Sequence, residues 1–325
     1  TPCHTGHATG ASCGGSAAHA PSGAVPLGHA NDGGGSIRIP AALNGLVGLK
    51  PSRGRLIDLP ELDRLPVNLV TQGVVTRSVR DTAYYFAEAE RVYRHPDLPS
   101  IGMVVRPERR RLRVGLVTES LAGSPLDPHT REAVLATGRT LEGLGHEVGE
   151  IDLGVGEQFG RDFLRYWALL SFMLQKAGGR FIGEGFDGSK TETLTKGLSA
   201  MFVQQAVKTP LSMRRLVRAS REPEAAYASV DVVISPVVSH PAPPIGYLGP
   251  DVPVRDQLIR LLRFTAFTPL QNVSGSPAIS LPLGQSPEGL PIGVQVAAPV
   301  GEERRLLSLA LELEEAMPWA HTPVG

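Results

Sequence analysis

Three consecutive glycines, Gly33-Gly34-Gly35, run directly into Ser36 and then into a stretch holding Ile37, Ile39, Leu43, Leu46, Val47 and Leu49. Glycine recurs throughout residues 6–54, and charges there are few. A glycine-rich segment without aliphatic residues would read as low complexity. With them it reads as backbones that approach closely inside a core. Three glycines let the chain bend so that consecutive N–H groups face one point. Such donors would stabilise an oxyanion formed when Ser36 attacks a carbonyl. A phosphate-binding loop and a merely flexible loop remain open at this stage. The loop matches neither GxGxxG nor GxxxxGK[ST], which weakens nucleotide binding.

The chain has 325 residues, enough for one large domain or two ordinary ones. Its 32 basic and 32 acidic residues give no net charge, so the basic footprint of a nucleic-acid binder is missing. No apolar run reaches the length of a membrane span. Two cysteines, Cys3 and Cys13, make no disulfide framework, so a reducing, cytoplasmic compartment is expected. Lysine is scarce: Lys50, Lys176, Lys190, Lys196 and Lys208. The opening residues, Thr1 to Gly6, read as the middle of a protein.

Beyond residue 72, strands and helices alternate, which points to an α/β sheet. Gly73 to Thr76 reads as a strand, with a helix from Ser78 carrying Asp81 in its first turn. Residues 94–111 read as a surface loop, with Arg109-Arg110-Arg111 solvated. Leu112, Val114 and Leu116 alternate as a strand. Asp127 caps a helix with Pro128 at its first position, and Gly145 ends it. Val148 to Leu153 gives another strand. Residues 157–222 read as helices broken by a loop at Gly178 to Gly188. Phe159, Phe163, Trp167, Phe172 and Phe202 there suit core packing better than a substrate pocket. Strands are expected at Asp231 to Pro236, Ala278 to Leu283 and Ile292 to Ala297, and a closing helix over Glu302 to Met317.

Three separated segments resemble the amidase signature family. Gly10-Ala11-Ser12-Cys13-Gly14-Gly15-Ser16 resembles GGSSGGS. Asp32 to Pro40 resembles D-x-GGSIR-x-P, and Gly48-Leu49-Lys50-Pro51 is GLKP. Ser12 and Ser36 stand 24 residues apart, the family spacing. Phe267 to Asn272, Gly275 to Ser280 and Gly289 to Gln295 are similar to C-terminal family motifs. The wording around His29 to Pro40 is closest to the branch containing 6-aminohexanoate cyclic dimer hydrolases. The resemblance is strong over 1–83 and 224–319 and loose between.

The resemblance implies one amidase signature domain over 1–325. Its catalytic core motifs lie in 1–83, a variable helical and αβ middle in 84–223, and core strands with the closing helix in 224–319. The implied fold is α/β, a twisted mixed sheet flanked by helices on both faces, lacking its N-terminal segment. It implies a Ser-cisSer-Lys mechanism acting on a carboxamide or cyclic amide. Ser36 would be the nucleophile and Ser12, after a cis bond, the proton relay. Backbone N–H groups of Gly33, Gly34, Gly35 and Ser36 would form the oxyanion hole, with Asp32 and Arg38 holding the loop. No metal or cofactor is implied. A small-molecule amide is the expected partner, with no nucleic acid and no membrane, and a homodimer is allowed. The family lysine falls before residue 1, so the chain as given is expected to be nearly inactive. Ala11 replaces a glycine and Cys13 a serine; Cys13 is read as structural. His4, His7, His19 and His29 lie near the serines in sequence and are read as bland. Two alternatives stand: a non-catalytic amidase remnant, and the glutaminase subunit of a tRNA-dependent amidotransferase. That subunit usually carries glutamine where Ile39 stands.

Overall fold

The computed structural model describes all residues except 2, 59–61, 63, 64, 109, 121, 122, 182, 184, 222–226 and 320–325. Eight strands form one mixed sheet: β1 (Leu27–Asp32), β2 (Val47–Lys50), β3 (Thr71–Thr76), β4 (Arg113–Leu116), β5 (Glu147–Glu150), β6 (Val232–Pro236), β7 (Ala278–Gln285) and β8 (Pro291–Ala297). Their order is β1-β3-β2-β7-β8-β6-β4-β5. Pairing is antiparallel from β1 to β6 and parallel among β6, β4 and β5. The parallel part contains the strand–helix–strand unit, with α4 (Pro128–Gly143) crossing between β4 and β5. Such a connection is what parallel neighbours require.

Side chains alternate across the sheet, as the pleat demands. Val74 and Ile234 join one core cluster; their neighbours Val75 and Val233 join others. The first cluster is closed by α4, α3 (Val79–Val92) and α10 (Glu303–Ala316). Ser78 accepts a hydrogen bond from Asp81 N–H and Asp127 from His129 and Thr130 N–H, so both expected caps are formed. On the other face lie α1 (Gly14–His19) and α2 (Arg38–Leu43).

The seat of α2 explains the glycines. A Cβ on Gly48 would stand 2.6 Å from Ala41 Cβ and 3.1 Å from Ile37 O. One on Gly73 would meet Ile37 Cδ1 at 2.7 Å, and one on Gly293 Ala42 Cβ at 2.3 Å. Three strand glycines thus let a short helix lie directly on the sheet, which fixes the height of Ser36 just before it.

Two expectations change. The helix at Glu157–Phe181 (α5) runs straight through Gly178 and Gly179, so the break comes later. Its glycine is needed because Phe186 folds back against the helix: a Cβ on Gly178 would stand 2.3 Å from the Phe186 ring. The second strand of the αβ unit is shorter than expected, ending at Glu150. Sequence reading also left out β1, β2, α1, α2, α8 (Val254–Phe264) and α9 (Pro269–Ser274). The helices α6 (Thr193–Gln205) and α7 (Thr209–Ala219) pack on α5. Arg109 lies outside the described residues.

Gly293→Ala forces a methyl group into α2 backbone and is expected to cost about 1–3 kcal/mol. Urea unfolding should show a lower midpoint at unchanged slope; an unchanged midpoint contradicts the tight seat.

Candidate active site

Asp32 ends β1, the three glycines turn the chain, and Ser36 precedes α2. Asp32 and Arg38 are both fully buried and form a two-pronged ion pair, with Arg38 Nε donating to Oδ2 and Nη2 to Oδ1, each at 2.9 Å. Burial alone would raise the Asp32 carboxyl's pKa. The Arg38 charge and its hydrogen bonds, the Asn272 amide and nearby Lys50 outweigh burial and hold it well below the usual carboxylate range. Asp32 therefore stays ionised and can accept from the turn. Gly35 N–H donates to Oδ1 at 2.6 Å and Ile37 N–H to Oδ2 at 3.3 Å.

Arg38 directs its remaining donors to the segment around α9 and to Gln295 of β8. Nη1 donates to Thr268 O and to the Gln271 and Gln295 carbonyl oxygens, and Nη2 to Asn272 Oδ1. Thr268 Oγ1 closes the ring by donating to Gly34 O at 2.6 Å. Asn272 Nδ2 donates to Asp32 and to Leu69 O. So residues 32–38 and 268–272, far apart in sequence, form one polar knot.

Gly35 has φ +129°, and a Cβ there would stand 2.5 Å from Thr268 Oγ1 and 2.6 Å from Ile39 Cδ1. Only glycine fits. Its N–H is taken by Asp32, so Gly35 differs from the expectation that it would offer a donor to a ligand. The N–H groups of Gly33, Gly34 and Ser36 have no acceptor among the described residues. All three residues are partly exposed.

The Ala11–Ser12 peptide bond is cis. Ser12 is exposed, and its Oγ lies 4.0 Å from Cys13 Sγ. Cys13 Sγ accepts from Asn31 N–H at 3.3 Å and donates to Asn31 O, which ties the serine loop to β1 next to Asp32. Among the described residues, neither Ser12 nor Ser36 has a lysine or histidine partner. His4 and His7 pair with each other through Nδ1 atoms 2.8 Å apart. Lys50 is fully buried, and its Nζ donates to Pro51 O. The other lysines lie on α5, α6 and the turns beside them. Among the described residues no cluster of side chains could hold a metal ion.

Two neighbours of the turn were not legible as site residues. A Cβ on Gly34 would lie 3.3 Å from Phe163 Cζ, and one on Gly33 the same distance from Val70 Cγ2. Phe163 is buried in a core cluster with Phe159 and Tyr166, so α5 backs the glycine turn with an aromatic edge. A cavity of about 600 Å³ begins at Gly10, Ala11 and Ile39 and extends between Leu43, Leu261 and Phe264. Its lining side chains include no carboxylate, lysine or arginine.

A family model described as Amidase matches residues 1–307. The putative amidase AmiC of Mycobacterium leprae (strain TN) is 48% identical over 325 residues, covering 100% of this chain and 69% of the relative. The 6-aminohexanoate-cyclic-dimer hydrolase of Paenarthrobacter ureafaciens is 34% identical over 345 residues, covering 98% of this chain and 68% of that protein. The solved structure of a 6-aminohexanoate cyclic dimer hydrolase complexed with substrate superposes with a TM-score of 0.83 at 30% identity, covering 99% of this chain and 71% of that one.

Burial, helped by the Arg38 and Arg53 charges and opposed by Asp32 and Glu303, pushes the Lys50 pKa down to about 7. Below that pH the folded chain carries a buried charge. Between about 7 and the unfolded value near 10.4 the unfolded chain holds one more proton, so stability rises with pH by up to about 1.4 kcal/mol per unit. Lys50→Met removes this titration. Urea unfolding from pH 7.5 to 9.5 should move the difference in favour of wild type by about 2–3 kcal/mol. A difference independent of pH contradicts the assignment.

Proposed function

This chain belongs to the amidase signature family, enzymes of carbon–nitrogen bonds, and from that premise we propose that it cleaves its amide through an acyl-enzyme on Ser36. The observation that carries this is the turn itself. Ser36 stands at a partly exposed bend beside unpaired Gly33 and Gly34 N–H groups, on a loop locked from behind by Asp32 and Arg38.

In the proposed reaction Ser36 Oγ bonds to the amide carbon and its proton passes through Ser12 to the leaving nitrogen. The tetrahedral oxyanion is held by the N–H groups of Gly33, Gly34 and Ser36. Removing one such donor typically costs about 10²–10³-fold in turnover. Collapse breaks the C–N bond and releases the amine. Water then attacks the ester, returns the proton to Ser36 and releases the acid. Asp32 keeps Gly35 N–H out of this set and so aims its neighbours.

A serine hydroxyl needs a base, and no described lysine or histidine meets Ser12 or Ser36. We therefore propose that these 325 residues by themselves turn over slowly. The cavity beside Ala11 and Ile39, lined mainly by aliphatic and small side chains with His7 its one titratable side chain, supports an amide whose larger portion is apolar.

Prolonged exposure to a fluorophosphonate, followed by peptide mapping, tests the nucleophile. The adduct should sit on Ser36, vanish in Ser36→Ala, and form more slowly in Ser12→Ala. An adduct on another residue, or labelling unchanged in Ser36→Ala, would overturn the assignment.

A further inference from the structure

The net charge of the chain is zero, yet it is unevenly spread. Residues 193–221 contain Lys196, Lys208, Arg214, Arg215, Arg218 and Arg221 and no acidic residue. One of these cations is committed: Arg215 pairs with the buried Asp162 of α5. Lys208, Arg214, Arg218 and Arg221 are exposed and have no ion-pair partner among the described residues.

The same segment exposes its aliphatic side chains. Val207, in the turn joining α6 to α7, is 94% exposed; Val203 is 63%, Leu211 55% and Val217 46%. On α7 the spacing sorts the two faces. Thr209, Ser212, Leu216 and Ala219 are buried, while Leu211, Arg214 and Val217 follow at three-residue steps on the solvent side, with Arg218 four residues after Arg214. Along α6, Lys196, Ala200 and Val203 are likewise exposed at three- and four-residue steps, and Val207 continues the spacing in the turn beyond it. The helices bury Leu198 and Leu216 with small residues as an ordinary surface helix does, yet they also show solvent a mixture of aliphatics and cations where polar residues alone are usual.

We propose that the α6–α7 elbow lies against an anionic lipid surface, with Val203, Val207 and Leu211 entering the boundary of the acyl chains and Lys208, Arg214, Arg218 and Arg221 meeting the phosphates. The chemistry selects this occupant. A basic amphipathic face with protruding aliphatics is what binds in the headgroup plane. A symmetric contact with a second copy centred on this patch would oppose like charges on like. Nucleic acid would use the cations and leave the aliphatic crest in water. No described helix is long and apolar enough to cross a membrane, so the contact is peripheral.

Sedimentation of the protein with phosphatidylcholine vesicles, with and without phosphatidylglycerol, tests this at low and high salt. The protein should pellet with the anionic vesicles only, and less at high salt. Val207→Ser with Leu211→Ser should weaken partition by about ten-fold, and Arg214→Gln with Arg218→Gln by about twenty-fold. All four side chains are exposed, so circular dichroism should not change. Failure to pellet with anionic vesicles, or pelleting that neither pair alters, overturns the proposal. A dimer in light scattering that the Val207/Leu211 pair abolishes assigns the face to a second copy and overturns it too. So does retention of an oligonucleotide that the aliphatic pair leaves intact. None of these readouts depends on amide hydrolysis.

Discussion

The buried pair of Asp32 and Arg38 is the contact on which the rest of the site depends. Taking two charges out of water costs several kcal/mol each, and attraction repays this only when the remaining donors and acceptors are also met. Here they are. The carboxylate receives the guanidinium, the Gly35 and Ile37 N–H groups and the Asn272 amide; the guanidinium reaches Thr268, Gln271, Asn272 and Gln295. Removal of one partner would strand the other, a change worth about 3–5 kcal/mol. The pair is therefore less a source of stability than a device that permits one arrangement of the turn.

That arrangement has a chemical use. A glycine turn is soft, and a soft turn cannot hold donors at a developing charge without reorganising. In this chain the softness is removed from three sides. Asp32 takes Gly35 N–H from below, Thr268 fixes Gly34 O, and Phe163 and Val70 crowd the places where side chains on Gly34 and Gly33 would go. Around the site, another atom already occupies the place of a Cβ at Gly35 in the turn and at Gly48, Gly73 and Gly293 beneath α2.

Where a local signal and the fold agree, the sequence was enough. The Ser78 and Asp127 caps, the β7–β8 hairpin and the closing helix each carry their own pattern within a short window. The site was legible mainly by resemblance, since Gly-Gly-Gly-Ser alone fits several loops. The strands β1 and β2 escaped because Leu27 to Asp32 is polar on its open edge and Val47 to Lys50 is only four residues long. The run of α5 through Gly178 could not be foreseen, because its cause, Phe186 folding back, is tertiary. Phe163 could be assigned to the core from its neighbours but not to the glycine turn, which lies more than a hundred residues away. The commitment of Gly35 N–H to Asp32 is likewise a matter of geometry that spacing does not contain.

The account stands on the claim that residues 32–38 and 268–272 form one cooperative polar knot. Native-state hydrogen exchange in wild type and Asn272→Ala tests it most directly, because Asn272 touches both charges without bearing one. The account predicts that peptides covering 31–40 and 267–275 lose protection together, while those covering β4 and α4 keep theirs. Loss confined to 267–275, with the glycine turn still protected, would contradict it and leave the turn to be held by its own local bonds.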